Sequence, residues 1–345
     1  MINVGIAGAS GYTGVELVKL ISNHPGTRLR AVTSNSYKGQ PFSDIFPSMR
    51  GFENLICEGL DIDTLSQKID VVFLALPHKV SMTHAPAFLE NGVKVVDLSA
   101  DYRFSDAAAY ERAYQPHTSS HLLETSVYGL SEIYPDKIAG ADLVGNPGCY
   151  PTSILLPLIP LLREGLIGTD RIICDSKSGV SGAGRSLSLT THFCGTNESF
   201  CAYKVGNHRH TPEIDEQLTL QSADPVSVTF TPHLVPLTRG MLSTIYVNIT
   251  DKASFDEVEK VYGRYYGNEP FVRVLGQDKF PAISHVKGTN CCDFGYHFNT
   301  DTGQMIIVSV IDNLMKGAAG QAVQNMNLMF GLPGSDGLDF VQSPL

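Results

Sequence analysis

Ile2-Asn3-Val4-Gly5-Ile6-Ala7-Gly8-Ala9-Ser10-Gly11-Tyr12-Thr13-Gly14 decides how the rest of this chain is read. The first six residues have the pattern of a buried strand. A glycine turn, Gly8 to Gly14, follows it. Val15, Leu17, Val18, Leu20 and Ile21 then fall at helical spacing. Strand, glycine turn and helix in this order form the context of a dinucleotide-binding loop. Gly8 suits the tight turn, Gly11 a close approach of backbone to a pyrophosphate, and Gly14 tight packing of helix on strand. The helix N-terminus adds N–H groups that can face phosphates. A glycine turn without a ligand is the plainer reading, and the position directly after a first strand weighs against it.

The next strand, Leu29 to Thr33, ends in Ser34-Asn35-Ser36-Tyr37-Lys38. An NAD site usually places Asp or Glu there to hold the ribose hydroxyls. Here hydroxyls and a lysine stand instead, which suit a 2′-phosphate, so NADP(H) is the expected cofactor. Further strands at 70–76 and 92–98, separated by a helix near 80–90, predict a doubly wound parallel sheet with right-handed crossovers. Ligands in such sheets gather at the carboxyl ends of strands. The glycine turn, Pro77-His78, Arg103 and Cys149 all follow such ends.

Gly145-Asn146-Pro147-Gly148-Cys149-Tyr150-Pro151-Thr152 is the most chemically pointed stretch. Turn formers end the apolar strand 142–144, and Pro151 suits the first turn of a helix. Cys149 is therefore expected at a strand-to-helix elbow, where a helix dipole favours thiolate over thiol. A buried packing cysteine is the common alternative, but packing does not require turn residues on both sides. Beyond this elbow, strands at 171–176, 226–231, 241–249, 292–299 and 305–311 outnumber helices, which predicts a mixed or antiparallel second sheet. The expected division is 1–148 as an α/β nucleotide-binding domain, completed by a helical segment 313–345, with 149–312 as an α+β domain.

His208-Arg209-His210-Thr211-Pro212-Glu213-Ile214 is the other rich segment. Thr211 is a possible N-cap, and Pro212 and Glu213 suit a helix start. His208 or His210, just before it, can exchange a proton near neutral pH. Spacing alone favours two exposed or capping histidines, and no third ligand completes a metal site.

Composition bounds the partners. The 345 residues suffice for two domains with real cores. A net charge of −10 disfavours nucleic acid. The longest apolar run, near 154–162, is too short for a membrane span. Seven cysteines without regular spacing, and no signal segment, predict a reducing, cytoplasmic setting.

Taken together, GASGYTGVEL (8–17), VVDLSADYR (95–103), GNPGCYPTS (145–153), SKSGVSGAGR (176–185), HRHTPEI (208–214), PHLVPLTRG (232–240) and DNLMKGAAGQAVQNMN (312–327) strongly resemble the N-acetyl-gamma-glutamyl-phosphate reductases of arginine biosynthesis. These are relatives of the aspartate-semialdehyde dehydrogenases. The resemblance implies NADPH-dependent reduction of a small acyl phosphate to an aldehyde through a cysteine thioester, and a homo-oligomer, dimer or tetramer. It implies Cys149 as nucleophile and His210 as acid/base, with His208 two residues away. Arg103 matches an arginine that faces the leaving phosphate. Ser10, Gly11, Tyr12 and Thr13 match the pyrophosphate loop. Asn313 and Gly317 match positions beside the nicotinamide. Ser178 stands where the dehydrogenase relatives have an active-site glutamine, and Met241 where their histidine follows a glycine; both departures favour the N-acetylglutamyl enzyme. Arg185, Arg209 and Arg239 are left as candidates for the substrate carboxylate. Sister reductases of other acyl phosphates and a non-catalytic NADP-binding regulator are the competing readings.

Overall fold

The computed structural model describes residues 1–339 other than 50, 52, 53 and 300. The chain divides into two compact units, 1–147 with 318–339, and 148–317. The first is built on seven parallel strands: β1 (Ile2–Ala7), β2 (Thr27–Thr33), β3 (Cys57–Glu58), β4 (Val71–Leu74), β5 (Lys94–Asp97), β6 (Val127–Tyr128) and β7 (Leu143–Gly145). Their spatial order is β3-β2-β1-β4-β5-β7-β6. The chain therefore runs outward from β1 in one direction and returns to build the other half, the doubly wound pattern expected from the sequence.

Pleating alternates the side chains. Ala7, Ala31, Val72, Leu74 and Val95 join one core cluster with Met82, Ala85 and Phe88 of the helix α2 (Ser81–Glu90). Residues of opposite parity, Ile6, Val32, Phe73 and Val96, are equally buried. Both faces are thus covered, which is why the strands read as continuous apolar runs. α1 (Tyr12–Asn23) buries Leu17, Val18, Leu20 and Ile21, the residues picked out by helical spacing.

The second unit contains β8 (Ile173–Gly179), β9 (Cys201–Ala202), β10 (Thr229–Val235), β11 (Met241–Asn248), β12 (Val272–Gln277), β13 (Cys292–Asn299) and β14 (Gln304–Ile311). They form a mixed sheet in the order β12-β13-β14-β11-β8-β10-β9. β8 starts and ends later than expected, and so does β10. β12 was not anticipated. It pairs parallel to β13, with a register shift between Val274 and Gly276, and that irregularity breaks the alternation a sequence reading depends on.

One sheet face lies under α3 (Cys149–Arg163), α3 being almost wholly buried. Pro157 and Pro160 interrupt α3 without ending it. Proline 160 has no N–H for the carbonyl of Leu156, and the hydroxyl of Tyr266 donates to that carbonyl instead. Tyr262 likewise donates to the Pro157 carbonyl at 3.0 Å. Both tyrosines come from an amphipathic helix, Phe255–Tyr266. Three hydroxyls are also sealed beneath α3: Ser243 lies 2.7 Å from Ser153 and 2.7 Å from Ser176. These bonds satisfy polar groups that burial would otherwise penalise.

The expected C-terminal helix takes another form. A π-helical turn, Met315–Ala319, precedes an α-helix at Gly320–Met329, and turns follow to 339. The remainder of the expected 313–345 segment, 340–345, lies outside the described residues. Thr211 is the first residue of its helix, α4 (Thr211–Thr219), and the cap position falls to His210.

Gly8 has φ +83°, and a Cβ there would sit 2.3 Å from the Ala75 carbonyl oxygen. Gly8→Ala is expected to lower unfolding free energy by about 3 kcal/mol, left-handed strain and backbone clash combined. Urea unfolding measures this, and a loss under about 0.5 kcal/mol would contradict the assigned turn.

Candidate active site

In the first unit the glycine turn is built as a cradle. Gly8 and Ala9 both donate to the Thr33 carbonyl, at 3.2 and 3.0 Å, and Gly11 donates to Gly8 at 3.2 Å. Gly14 presses on the turn, since a Cβ there would meet the Gly8 oxygen at 2.4 Å. Gly11 is the N-cap of α1, and no side chain caps that end. A Cβ at Gly11 would meet nothing closer than 3.6 Å. The end of α1 therefore keeps donors and open space for a pyrophosphate. Tyr12 is exposed there. The Ser34 hydroxyl turns inward to Ser10, 2.9 Å away, while Ser36 and Lys38 stay at the surface. The Lys38 chain lies along Gly59 at the end of β3.

Arg103 is buried in the same unit. Its Nε donates to the Asn146 carbonyl at 2.7 Å and its Nη2 to Leu98 at 2.9 Å. Asn146 in turn donates its N–H to Asp97, 2.8 Å, and its side-chain oxygen accepts from Asn325 at 3.0 Å. These contacts fix the segment that leads out of β7. Sequence reasoning missed Asn146 and Asn325 because buried amides carry no periodic signal.

In the second unit Cys149 is the first residue of α3, after an N-cap glycine with no side-chain cap and no acidic residue in the first turn. The sulfur thus sits at the positive end of a 15-residue helix. Cys149 is half-buried. Cys57 and Cys174, by contrast, are buried and their thiols are pushed up by desolvation. Gly317 packs directly on Cys149: a Cβ there would lie 2.7 Å from the Cys149 Cβ. The N–H of Gly148 is held by a carboxylate oxygen of Glu213 at 2.8 Å.

Tyr150, next in the helix, joins an aromatic cluster with His208, His210, Tyr203 and Phe230. The bonds within it share one polarity. The His210 N–H donates to His208 Nδ1 at 3.1 Å, which leaves the proton on His208 Nε2, 3.4 Å from the Tyr203 oxygen. Tyr203 donates to Tyr150 at 3.2 Å, and Tyr150 to the His233 carbonyl at 3.3 Å. Both side-chain nitrogens of His208 are therefore engaged. Burial, and then the charges of Lys204 and Arg209, push its pKa down to about 4. Tyr203 is pushed up to about 12, chiefly by burial. His208 is a neutral packing ring at pH 7, and His210 lies against Tyr150 as the N-cap residue of α4.

Ser178 is buried, donates to the Gly179 carbonyl at 3.0 Å and lies beside Tyr150. Asn313 donates to Ser181 at 2.9 Å and accepts from the Gly240 N–H at 2.7 Å, which ties the SGAG loop to the turn before β11. Arg239 is spent on a two-pronged ion pair with buried Asp312, at 2.8 and 3.0 Å. Arg185 is exposed. Arg209 is the one of the three candidates whose charge acts on the His208 and Tyr203 cluster.

The sequence was compared with known proteins. A family model described as semialdehyde dehydrogenase, NAD binding domain, matches residues 3–141. One described as semialdehyde dehydrogenase, dimerisation domain, matches residues 149–313. N-acetyl-gamma-glutamyl-phosphate reductase of Desulforapulum autotrophicum is 61% identical over 345 residues, 100% of each chain. That of Geobacter metallireducens is 52% identical over 340 residues, 98% of each chain. Among solved structures, aspartate semialdehyde dehydrogenase II from Vibrio cholerae, complexed with ASA, has TM-score 0.74 at 17% identity, covering 96% of this chain and 98% of that one. Aspartate semialdehyde dehydrogenase with NADP from Candida albicans has TM-score 0.71 at 17% identity, covering 96% and 98%. At that identity the solved structures speak to the fold.

His208 supplies a test by pH. Its folded pKa lies below the usual 6.5, so its contribution to stability is complete above pH 6.5 and is lost as pH falls toward about 4. Buried Asp97 and Asp215, both raised to about 6, act in the opposite sense. A difference measurement removes them. The stability advantage of wild type over His208→Gln is expected to shrink by up to about 3 kcal/mol between pH 7 and pH 4. Urea melts at the two pH values measure it; a constant difference would contradict a neutral His208.

Proposed function

The chain belongs to the N-acetyl-gamma-glutamyl-phosphate reductase family, and from that premise we propose that it reduces N-acetyl-gamma-glutamyl phosphate to N-acetyl-L-glutamate 5-semialdehyde, releasing phosphate, in arginine biosynthesis. The observation that carries the reading is Cys149 on the first turn of a long, uncapped helix, with the His210 segment packed on the neighbouring Tyr150. A half-buried thiol at a helix N-terminus suits covalent catalysis on an acyl group.

In this mechanism the Cys149 thiolate attacks the acyl-phosphate carbonyl, after His210 has taken the thiol proton. N–H groups of the first turn of α3 stabilise the oxyanion. The carbon–oxygen bond to phosphate breaks, Arg103 offsets the charge of the departing phosphate, and a thioester remains on Cys149. The glycine turn, Ser10 to Thr13, would hold the pyrophosphate of NADPH, with the exposed Ser36 and Lys38 toward the 2′-phosphate. When bound, NADPH supplies the hydride that reduces the thioester carbon. His210 returns a proton to the oxygen that forms; loss of that proton on collapse frees the semialdehyde and restores the thiolate. Splitting phosphate loss from reduction gives two easier steps in place of one. Asn313 and Gly317 shape the wall beside the nucleophile, with Ser178 under Tyr150. Arg209, whose charge reaches the His208 and Tyr203 cluster beside Tyr150, takes the substrate carboxylate.

The proposal includes a homo-oligomer formed through the second sheet. Ile173, Leu242, Tyr246, Ile306 and Val308 share the face opposite α3, by register, and none of them is fully buried. Such a face calls for a covering layer, and the family model over 149–313 is described as a dimerisation domain. No helix among the described residues is long and apolar enough to cross a membrane. A cytoplasmic location, where the nucleophile and the other free cysteines stay reduced, completes the proposal.

The test is the reverse reaction. Wild type is expected to reduce NADP when given N-acetylglutamate semialdehyde and phosphate or arsenate, faster than it reduces NAD. Cys149→Ser is expected to lose at least about 1,000-fold in kcat while keeping its NADPH dissociation constant. Substantial turnover by that variant would remove the covalent mechanism.

A further inference from the structure

The N–H of the residue that caps α4 is held by His208 and not by Glu213. Glu213 is the third residue of α4, after Thr211 and Pro212. A glutamate there ordinarily reaches back to the N–H of the cap residue. That N–H belongs to His210, and His208 Nδ1 accepts it at 3.1 Å. Glu213, only 1% exposed, instead sends Oε1 to the N–H of Gly148, 2.8 Å away. Gly148 is the N-cap of α3 and directly precedes Cys149. The helix that begins at His210 thus grips the backbone in front of the nucleophile. Gly317 leaves Cys149 no room on its own side, since even a Cβ there would collide.

We propose that Glu213 is a positioning residue: its bond to Gly148 sets the first turn of α3, and so Cys149, against the start of α4, where His210 stands. The inference rests on the reductase reading above. A misplacement of about 1 Å at a reacting group costs about 100-fold in rate, so reach, rather than charge, is what Glu213 must supply.

Two conservative variants separate reach from charge. Glu213→Gln keeps an acceptor at the same distance and removes the charge. Glu213→Asp keeps the charge and shortens the side chain. With NADP, N-acetylglutamate semialdehyde and arsenate, Glu213→Gln is expected to stay within about 5-fold of wild-type kcat, and Glu213→Asp to fall by about 100-fold, KM changing by less than about 3-fold in each. Alkylation of the Cys149 peptide by iodoacetamide across pH, read by mass spectrometry, needs no substrate. Its midpoint is expected to rise in Glu213→Asp, as the sulfur leaves the helix axis, and not in Glu213→Gln. Glu213→Asp at wild-type kcat, or Glu213→Gln falling as far as Glu213→Asp, would overturn the proposal. If wild type itself fails to turn over the semialdehyde, the reductase reading fails, and the alkylation midpoints still rank the two variants.

Discussion

A helix that begins at a cysteine imposes a condition on everything around it. The first-turn N–H groups of α3 have no partners within the helix, and the residue ahead of them is a glycine with no cap to offer. The chain anchors the turn by other means. Glu213 holds the backbone in front, Gly317 crowds the side, and the buried length of α3 fixes the axis. Two prolines inside α3 would weaken such an axis. The tyrosine hydroxyl that takes the Leu156 carbonyl restores what Pro160 removes. The Cys149 end and the middle of one helix are thus supported by different elements.

The two units solve different problems. The parallel sheet is covered on both faces and displays a helix N-terminus without a side-chain cap beyond a strand end. Such an end binds phosphates by backbone geometry, so few side chains are committed there. The second sheet is covered on one face by α3 and leaves β11 and β14 half-bare on the other. Its chemistry rests on side chains: a neutral His208 locked by Tyr203, an Arg239 locked by Asp312, and His210 at a helix cap. Arg239, one of the three arginines considered for the substrate carboxylate, is thereby committed to Asp312.

Much of this was legible in the chain. The parallel strands show because burial on both faces makes them continuous apolar runs, and the glycine turn shows because Gly8 and Gly14 have no freedom to be anything else. β13 was read to its ends because its alternation is unbroken. What stayed hidden has a common cause. β12 carries a bulge that spoils its period, and β8 and β10 shift because mixed pairing moves their ends. The uses of Glu213, Asn146, Asn325 and Tyr203 depend on partners as far as 65, 179, 196 and 53 positions away, and local pattern holds no trace of them. The bond that fixes the His208 ring comes from the His210 N–H, and spacing cannot reveal it.

The central claim is that Cys149 carries the acyl group. Pre-steady-state mixing of wild type with NADP and N-acetylglutamate semialdehyde, without phosphate or arsenate, examines it most directly. The account predicts a burst of NADPH approaching one equivalent per site, followed by a stall, with a hydroxylamine-labile acyl group on the Cys149 peptide after acid quench. Steady NADPH formation without a burst, and no acylated Cys149 in the quenched protein, would contradict it.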